Sequence, residues 1–213
     1  MKKTIALVCK SLSEDFSGVS IETIELPIIG KKEVLIDVKA SSLNFPDLLM
    51  SQGKYQHKPS IPFVLGMEGS GIIEQVGQEV TAYKSGDEVC FGSWGNGTLA
   101  RKVVVPEDKV NLKPKHFNFN EAASFQTAYL TAYVALVRMG KLKKNETILV
   151  HGASGGVGMA AVQLGKYLNA KVIATGSSED KLKETLNWGA NHTILLPSNK
   201  EQNFRDEVKD LTD

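Results

Sequence analysis

The sequence predicts an α/β protein in two parts, a small β-rich domain followed by a doubly wound parallel sheet. Three observations carry that prediction. Short apolar runs broken by turn residues fill the first half of the chain, as in a small, partly open barrel. From Ile148 onward strand and helix patterns alternate, the signature of βαβ units. At the head of that alternation the stretch NETILVHGASGGVGMAAVQLGK, from Asn145 to Lys166, runs from an apolar strand through a glycine cluster directly into a helical pattern.

In chain order, residues 21–26 and 34–39 read as strands, the first with rough polar–apolar alternation. Residues 71–76 and 101–105 read the same way. Gly30-Lys31-Lys32, Gly53, Gly77, Ser85-Gly86-Asp87 and Gly95-Asn96-Gly97 punctuate them. The character changes near Asn120, and residues 121–139, rich in Ala, Leu, Val and Tyr, predict two helical stretches. The second part then reads strand 147–150, helix after the glycine cluster, strand 171–175, helix 179–188, strand 192–196 and helix 201–211. Those are three strands of a sheet whose full order is 3-2-1-4-5-6, and strand 1 would be left as an unpaired edge. The expectation is therefore a truncated product or part of a longer coding sequence, with a partner chain supplying the other half as the alternative.

Composition narrows the function classes. The chain has 213 residues, 42% hydrophobic and 23% charged, ordinary for a globular protein of one or two domains. Twenty-five basic residues against 24 acidic ones leave a net charge of +1, which gives no electrostatic case for nucleic acid or an anionic membrane. Cys9 and Cys90 are too few for a disulfide framework or a four-cysteine zinc lobe, and a reduced, cytoplasmic setting fits. The apolar run 5–8 is broken by Cys9-Lys10, too short for a signal-peptide core. No stretch approaches membrane-span length.

The cluster Ala153-Ser154-Gly155-Gly156-Val157-Gly158 is the G-x-G-x-x-G fingerprint with Ala first. Gly155 lets the backbone approach a pyrophosphate, Gly158 lets the helix pack on its strand, and the helix N-terminus offers free N–H groups to the anion. The end of the next strand selects the nucleotide. An NAD site places an acid there to bond the ribose; here the strand ends in Gly176-Ser177-Ser178. Gly176 leaves room, the serines can donate, and Lys181 supplies charge for a 2′-phosphate, so NADPH is favoured over NADH. Glu179 and Asp180 read as first-turn acids of a helix capped by Ser177 or Ser178. His151 reads as a partly buried strand-end histidine rather than a cofactor contact.

Around the glycine loop, Asn145, Glu146, Leu149, Ala153 to Gly156, Gly158, Gln163 and Lys166 stand where the zinc-independent quinone oxidoreductase (zeta-crystallin-like) family of the medium-chain dehydrogenase/reductase superfamily has its signature, and the chain resembles that family along essentially its whole length. Asn44-Phe45-Pro46-Asp47, Gln52-Gly53-Lys54-Tyr55, Gly66 to Gly71 and Gly86 to Val89 look like its catalytic domain, and Thr131-Ala132-Tyr133 like its interdomain helix. The resemblance implies a GroES-like barrel over residues 1–120 and the first half of an NADPH-binding Rossmann domain over 121–213. It departs from the family at Leu195-Leu196, where relatives often carry an aromatic pair.

Zinc enzymes of the same superfamily carry Cys where Asn44 sits and His where Met67 sits; amide and thioether are not serviceable zinc ligands, so no metal is expected. Hydride delivery to an electron-poor acceptor needs no Lewis acid, which points to quinones or activated α,β-unsaturated carbonyls. The candidate catalytic residues are Asn44, to orient substrate or the nicotinamide ribose, and Tyr55, to line the acceptor pocket. Their alternatives are a loop Asn bonded to its own backbone and a surface aromatic. Thr127 and Thr131 are candidates to bond the nicotinamide amide and phosphates, against back-bonding helix threonines. Asp47 and Glu68 read as structural turn and supporting groups, and Trp94 and Trp188 as packing. The implied protein is an NADPH-dependent reductase acting on a small quinone or enone, a homodimer when complete. A non-catalytic NADPH-binding or RNA-binding crystallin-like protein and an inactive truncated product are the alternatives.

Overall fold

The computed structural model describes residues 2–93, 97–196 and 204–212. Trp94 and the start of the last predicted helix lie outside them. The chain divides into two units, Met1–Thr127 and Ala128–Asp213.

The first unit is built from β1 (Lys3–Cys9), β2 (Val19–Glu25), β3 (Glu33–Ser41), α1 (Phe45–Ser51), β4 (Phe63–Val64), β5 (Glu68–Val76), β6 (Glu88–Gly92), β7 (Lys102–Pro106) and β8 (Val110–Leu112). A five-stranded antiparallel sheet has the order β7-β3-β5-β6-β8, and a three-stranded one the order β2-β1-β4. Register shifts in the β3–β5 pairing bend the larger sheet. The β-branched residues that predicted these strands line the core: Val34, Ile36, Ile73, Val89, Phe91, Val103, Val105 and Val110 form one buried cluster. A second cluster, Cys9, Met50, Phe63, Leu65 and Met67, lies under α1 and β4. Four strands went unread in the sequence, β1, β4, β6 and β8. β1 buries Thr4, Ala6 and Val8 on one face, but its short apolar run is a strand only because β2 pairs with it over seven residues. β6 buries Val89, Cys90 and Phe91 consecutively, without alternation.

The helix α2 (Phe119–Tyr133) crosses from the first unit into the second. It continues without a break into a π-helical stretch, Val134–Met139, and ends at Gly140. Residues 121–139 are therefore one continuous helix with a change of pitch, not two helices; no Gly or Pro interrupts them. The second unit then alternates β9 (Thr147–Val150), α3 (Gly156–Tyr167), β10 (Lys171–Gly176), α4 (Glu179–Trp188), β11 (His192–Leu195) and α5 (Arg205–Thr212). The sheet is parallel with the order β11-β10-β9, three strands of a doubly wound domain. The central strand β10 buries Val172, Ile173, Ala174 and Thr175 in succession, as a strand covered on both faces must. Val150, Ala160, Val162, Val172, Ala174 and Leu182 form the core, with Trp188 half-buried against it. Among the described residues no helix is long and apolar enough to cross a membrane.

Candidate functional site

The candidate residues fall into two constellations, one in each unit. In the first unit the centre is Glu68, at the start of β5 and only 2% exposed. A buried carboxylate is stable only when its lone pairs are met. Here Oε1 accepts from Ser42 Oγ at 2.7 Å and from Asn44 Nδ2 at 3.1 Å, and Oε2 accepts from the backbone N–H of Thr127 at 2.8 Å. Asn44 is the N-cap of α1, with extended backbone (φ −118°, ψ 157°). Its Nδ2 also donates to Ser42 Oγ at 3.0 Å. The two acceptors lie on one side of Nδ2 and share one of its hydrogens, and in the capping box of α1 the Asn44 side chain accepts from the backbone N–H of Asp47. The local backbone bond that the sequence left open as the alternative for Asn44 is present in this cap, beside the bonds to Ser42 and Glu68.

Asp47 holds this cap in place. Its Oδ2 accepts the Asn44 N–H at 2.8 Å and its Oδ1 the Gly66 N–H at 2.9 Å. Burial pushes the Asp47 carboxyl above the usual carboxylate range; the two backbone donors pull it back, and the charge of Glu68 adds to the rise. Gly66 has φ +103°, and a Cβ there would sit 2.5 Å from Thr98 Oγ1 and 2.6 Å from the Leu99 nitrogen, so only glycine fits. Tyr55, in the turn after α1, is half-buried and packs on the Cys9–Met67 cluster.

In the second unit the chain leaves β9 through Gly152 (φ +60°) and turns into α3, whose N-cap is Gly155. Gly155 and Gly156 face open space: a Cβ on either would meet nothing closer than 3.4 Å. At Gly158 the opposite holds. A Cβ would lie 2.3 Å from Gly152 O and 2.7 Å from Ala153 Cα, so the helix packs directly on the turn. The first intrahelical bond runs from Met159 N–H to Gly155 O, so the amides of Gly156, Val157 and Gly158 precede it and point out of the helix end. Ala153 is fully buried and its N–H donates to Thr175 O at 3.0 Å, tying the turn to the end of β10. His151 adds a second tie, Nδ1 to Thr175 Oγ1 at 2.9 Å, with its ring edge-on to Phe204. It is exposed, not partly buried: the strand ends one residue earlier and His151 already belongs to the turn.

Beyond β10, Gly176 lies near Ser154, whose Oγ would be 3.9 Å from a Cβ at 176. Ser177 is exposed, and Ser178 is the N-cap of α4 by backbone position but makes no side-chain capping bond. The predicted serine cap is thus positional only; its hydroxyl is not spent on the helix. Glu179 and Asp180 are engaged with Lys183, at 3.4 and 3.6 Å, while Lys181 is exposed and makes no ion pair with a described residue. Thr127 and Thr131 stand one turn apart on α2, Thr127 half-buried and Thr131 exposed.

The donor set does not fit zinc. Met67 is buried in the apolar cluster, Asn44 Nδ2 faces Glu68, and Cys90 Sγ, whose thiol burial pushes up, receives a hydrogen bond from Gln126. Among the described residues no three His, Cys, Asp or Glu converge on a point where a metal could sit.

Comparisons with known proteins identify both units. The family "Alcohol dehydrogenase GroES-like domain" matches residues 30–115, and "Zinc-binding dehydrogenase" matches 156–213. A quinone oxidoreductase of Mus musculus is 36% identical over 184 residues, 86% of this chain and 55% of its own. A solved NAD-dependent alcohol dehydrogenase superposes with a TM-score of 0.88 at 31% identity, covering 98% of this chain and 67% of that one. A mycobacterial protein solved as a complex with NADPH gives 0.87 at 29% identity, covering 98% and 63%. The chain spans about half the length of the curated quinone oxidoreductases it matches. With a GroES-like unit ahead of half of a Rossmann sheet, the chain belongs to the quinone oxidoreductase-like family of the medium-chain dehydrogenases/reductases.

Proposed function

We propose that the protein is an NADPH-dependent reductase that passes hydride to quinones or activated α,β-unsaturated carbonyls without zinc. The observation that carries this reading is the first turn of α3, where Gly155 and Gly156 leave space in front of outward-pointing amides while Gly158 closes the turn behind them. The amides of Gly156, Val157 and Gly158, with Ser154 in the turn, hold the diphosphate; Ala153, buried and with its N–H given to Thr175 O, shapes the turn and does not touch it. Gly176, Ser177, Ser178 and Lys181 receive the 2′-phosphate; Glu179 and Asp180 oppose it little because Lys183 is paired with both. Thr127 and Thr131 bond the nicotinamide amide and phosphates. Asn44 orients substrate or the nicotinamide ribose, and Tyr55 lines the acceptor pocket. When bound, the nicotinamide supplies the hydride. The acceptor is already electron-poor, so no metal is needed to polarise it. The reading describes a cytoplasmic enzyme that acts as a homodimer on a small molecule.

Titration of NADPH and NADH onto the full-length protein, followed by NADPH consumption with a quinone and with an acrylyl-type enone, tests it. Tighter binding of NADPH and turnover of either acceptor are expected. Preference for NADH, turnover that requires added zinc, or no NADPH binding at all would each overturn the corresponding part.

A further inference from the structure

We propose that Thr175 and His151 are positioning residues that pin the glycine turn, Thr175 by locking His151 as the neutral imidazole with its proton on Nε2. The inference rests on the reading of that turn as the diphosphate site, but the lock itself follows from contacts within the second unit. Gly152, with φ +60°, is the corner where the chain leaves β9 for α3. Thr175, in β10, grips the chain on both sides of that corner. Its carbonyl oxygen accepts the Ala153 N–H at 3.0 Å, and its Oγ1 lies 2.9 Å from His151 Nδ1. Thr175 is fully buried, so its hydroxyl has no water to turn to. Among the described residues His151 Nδ1 is the one hydrogen-bond partner of that hydroxyl. A buried hydroxyl must give its proton to an acceptor. Nδ1 therefore accepts, and the ring proton sits on Nε2. The β-branched Thr175 is stiff at χ1, and Phe204 stands edge-on to the imidazole with ring centres 5.5 Å apart, so neither partner swings away freely.

The two ties differ in what a substitution removes. The carbonyl of Thr175 belongs to the backbone and survives any side chain there. The hydroxyl alone can be deleted. Thr175→Val keeps the shape and branching of the side chain and loses the hydrogen bond; Thr175→Ser keeps the hydroxyl and loses a methyl group. Without the hydroxyl, Gly152 resists nothing, since glycine is free in φ, and the corner is held from one side only. The amides of Gly156, Val157 and Gly158 follow directly after that corner. A diphosphate then meets donors that must be ordered as it binds, and the cost appears as lost affinity. Ser177, Ser178 and Lys181 follow β10 and do not hang on the corner, so a lone 2′-phosphate is spared.

Three measurements test this on the full chain. In ligand-free protein in mildly alkaline buffer, long-range proton–nitrogen correlations of the His151 ring, assigned by their loss in His151→Phe, should show the proton on Nε2; a proton on Nδ1 overturns the proposal. The Ala153 amide should exchange with solvent at least about fivefold faster in Thr175→Val and return to the wild-type rate in Thr175→Ser. Equal exchange in wild type and Thr175→Val overturns it, whatever the cofactor does. In the binding arm, Thr175→Val and His151→Phe should each weaken NADPH about tenfold, the double variant should be no worse than either, and Thr175→Ser should bind as the wild type does. Adenosine 2′-monophosphate, which carries no diphosphate, should bind all of them equally. A merely structural pair would instead weaken both ligands alike or give additive losses, and either result overturns the proposal. Failure of the wild type to bind NADPH would sink the parent reading, and the ring and amide measurements would still decide the lock.

Discussion

Adding one methyl group at Gly158 or at Gly156 separates the two tasks of the glycine turn. At Gly158 the added Cβ would stand 2.3 Å from Gly152 O and 2.7 Å from Ala153 Cα. Both are backbone atoms, with no rotamer to escape into, and the first contact is roughly 1 Å shorter than van der Waals distance. Either α3 lifts off the turn or the tie from Ala153 N–H to Thr175 O is lost. Overpacking of this kind costs up to about 3 kcal/mol, which for a chain this size lowers the melting temperature by about 10 °C. At Gly156 a Cβ would meet only the Ala128 methyl, at 4.0 Å. Alanine is the better helix former, so Gly156→Ala should be neutral or gain up to about 1 kcal/mol in ligand-free protein. The same methyl fills the space through which a diphosphate reaches the amides, and NADPH should weaken at least about tenfold. Urea unfolding followed by circular dichroism reads the first effect, and NADPH fluorescence titration the second. The reasoning is refuted if Gly158→Ala is as stable as the wild type, or if Gly156→Ala binds NADPH unchanged.

Other consequences follow from single groups. Asp47→Asn keeps an acceptor for one of the two backbone donors and turns an NH2 toward the other, and should cost about 1–3 kcal/mol. Because burial holds the Asp47 pKa above its unfolded value, the folded protein keeps an extra proton between the two values. This group's contribution is therefore full below the unfolded pKa and lost as pH rises through the folded one. The wild type should gain on Asp47→Asn as pH falls from neutral into the carboxylate range, and a shrinking gap in acid denaturation curves contradicts the assignment. Cys9 and Cys90 are buried with thiols pushed up by desolvation, so a disulfide reagent should label neither in native protein and both in denaturant. Rapid native labelling of one equivalent would show that the sheet opens at β6 or at the end of β1. Lys181→Glu should weaken NADPH about tenfold at low salt and spare NADH; an equal loss of both removes Lys181 from the 2′-phosphate site.

The parallel unit was the more legible part of the sequence. β9 and α4 carry the bounds expected for them, and β10 extends by one residue, because their apolar residues are local, contiguous and bounded by glycines. The order β11-β10-β9 is the 3-2-1 half of a doubly wound sheet. The first unit was less legible because pairing partners make its strands. β1 and β6 are strands through β2 and β5, and neither has a period of its own over enough residues. The same distinction governs the sites. The glycine turn is written in consecutive residues. Glu68 read as a supporting group, and that it joins Ser42, Asn44 and an amide 59 positions onward is a fact of tertiary structure that no local pattern carries.

The zinc question can be argued from the side chains that stand where the resemblance expects ligands. Two substitutions, Asn44→Cys and Met67→His, would restore the ligand types of the zinc enzymes on paper. Met67 is 6% exposed and packs with Cys9, Met50, Phe63 and Leu65, so an imidazole there enters an apolar cluster without a hydrogen-bond partner. Glu68, the remaining oxygen donor, would have to release Ser42 and the Thr127 N–H to turn toward an ion. The replacement of Asn44 already removes one of its three partners. The double variant should therefore lose about 2–4 kcal/mol of stability and bind zinc no more tightly than micromolar, far short of a structural or catalytic site. Zinc titration against a chromophoric chelator measures this. Stoichiometric, chelator-resistant zinc in the double variant would show that the pocket keeps a metal-ready geometry and that ligand identity alone separates the two branches; weak binding would show that packing around Met67 and hydrogen bonding around Glu68 have been rebuilt for a site that works without the ion.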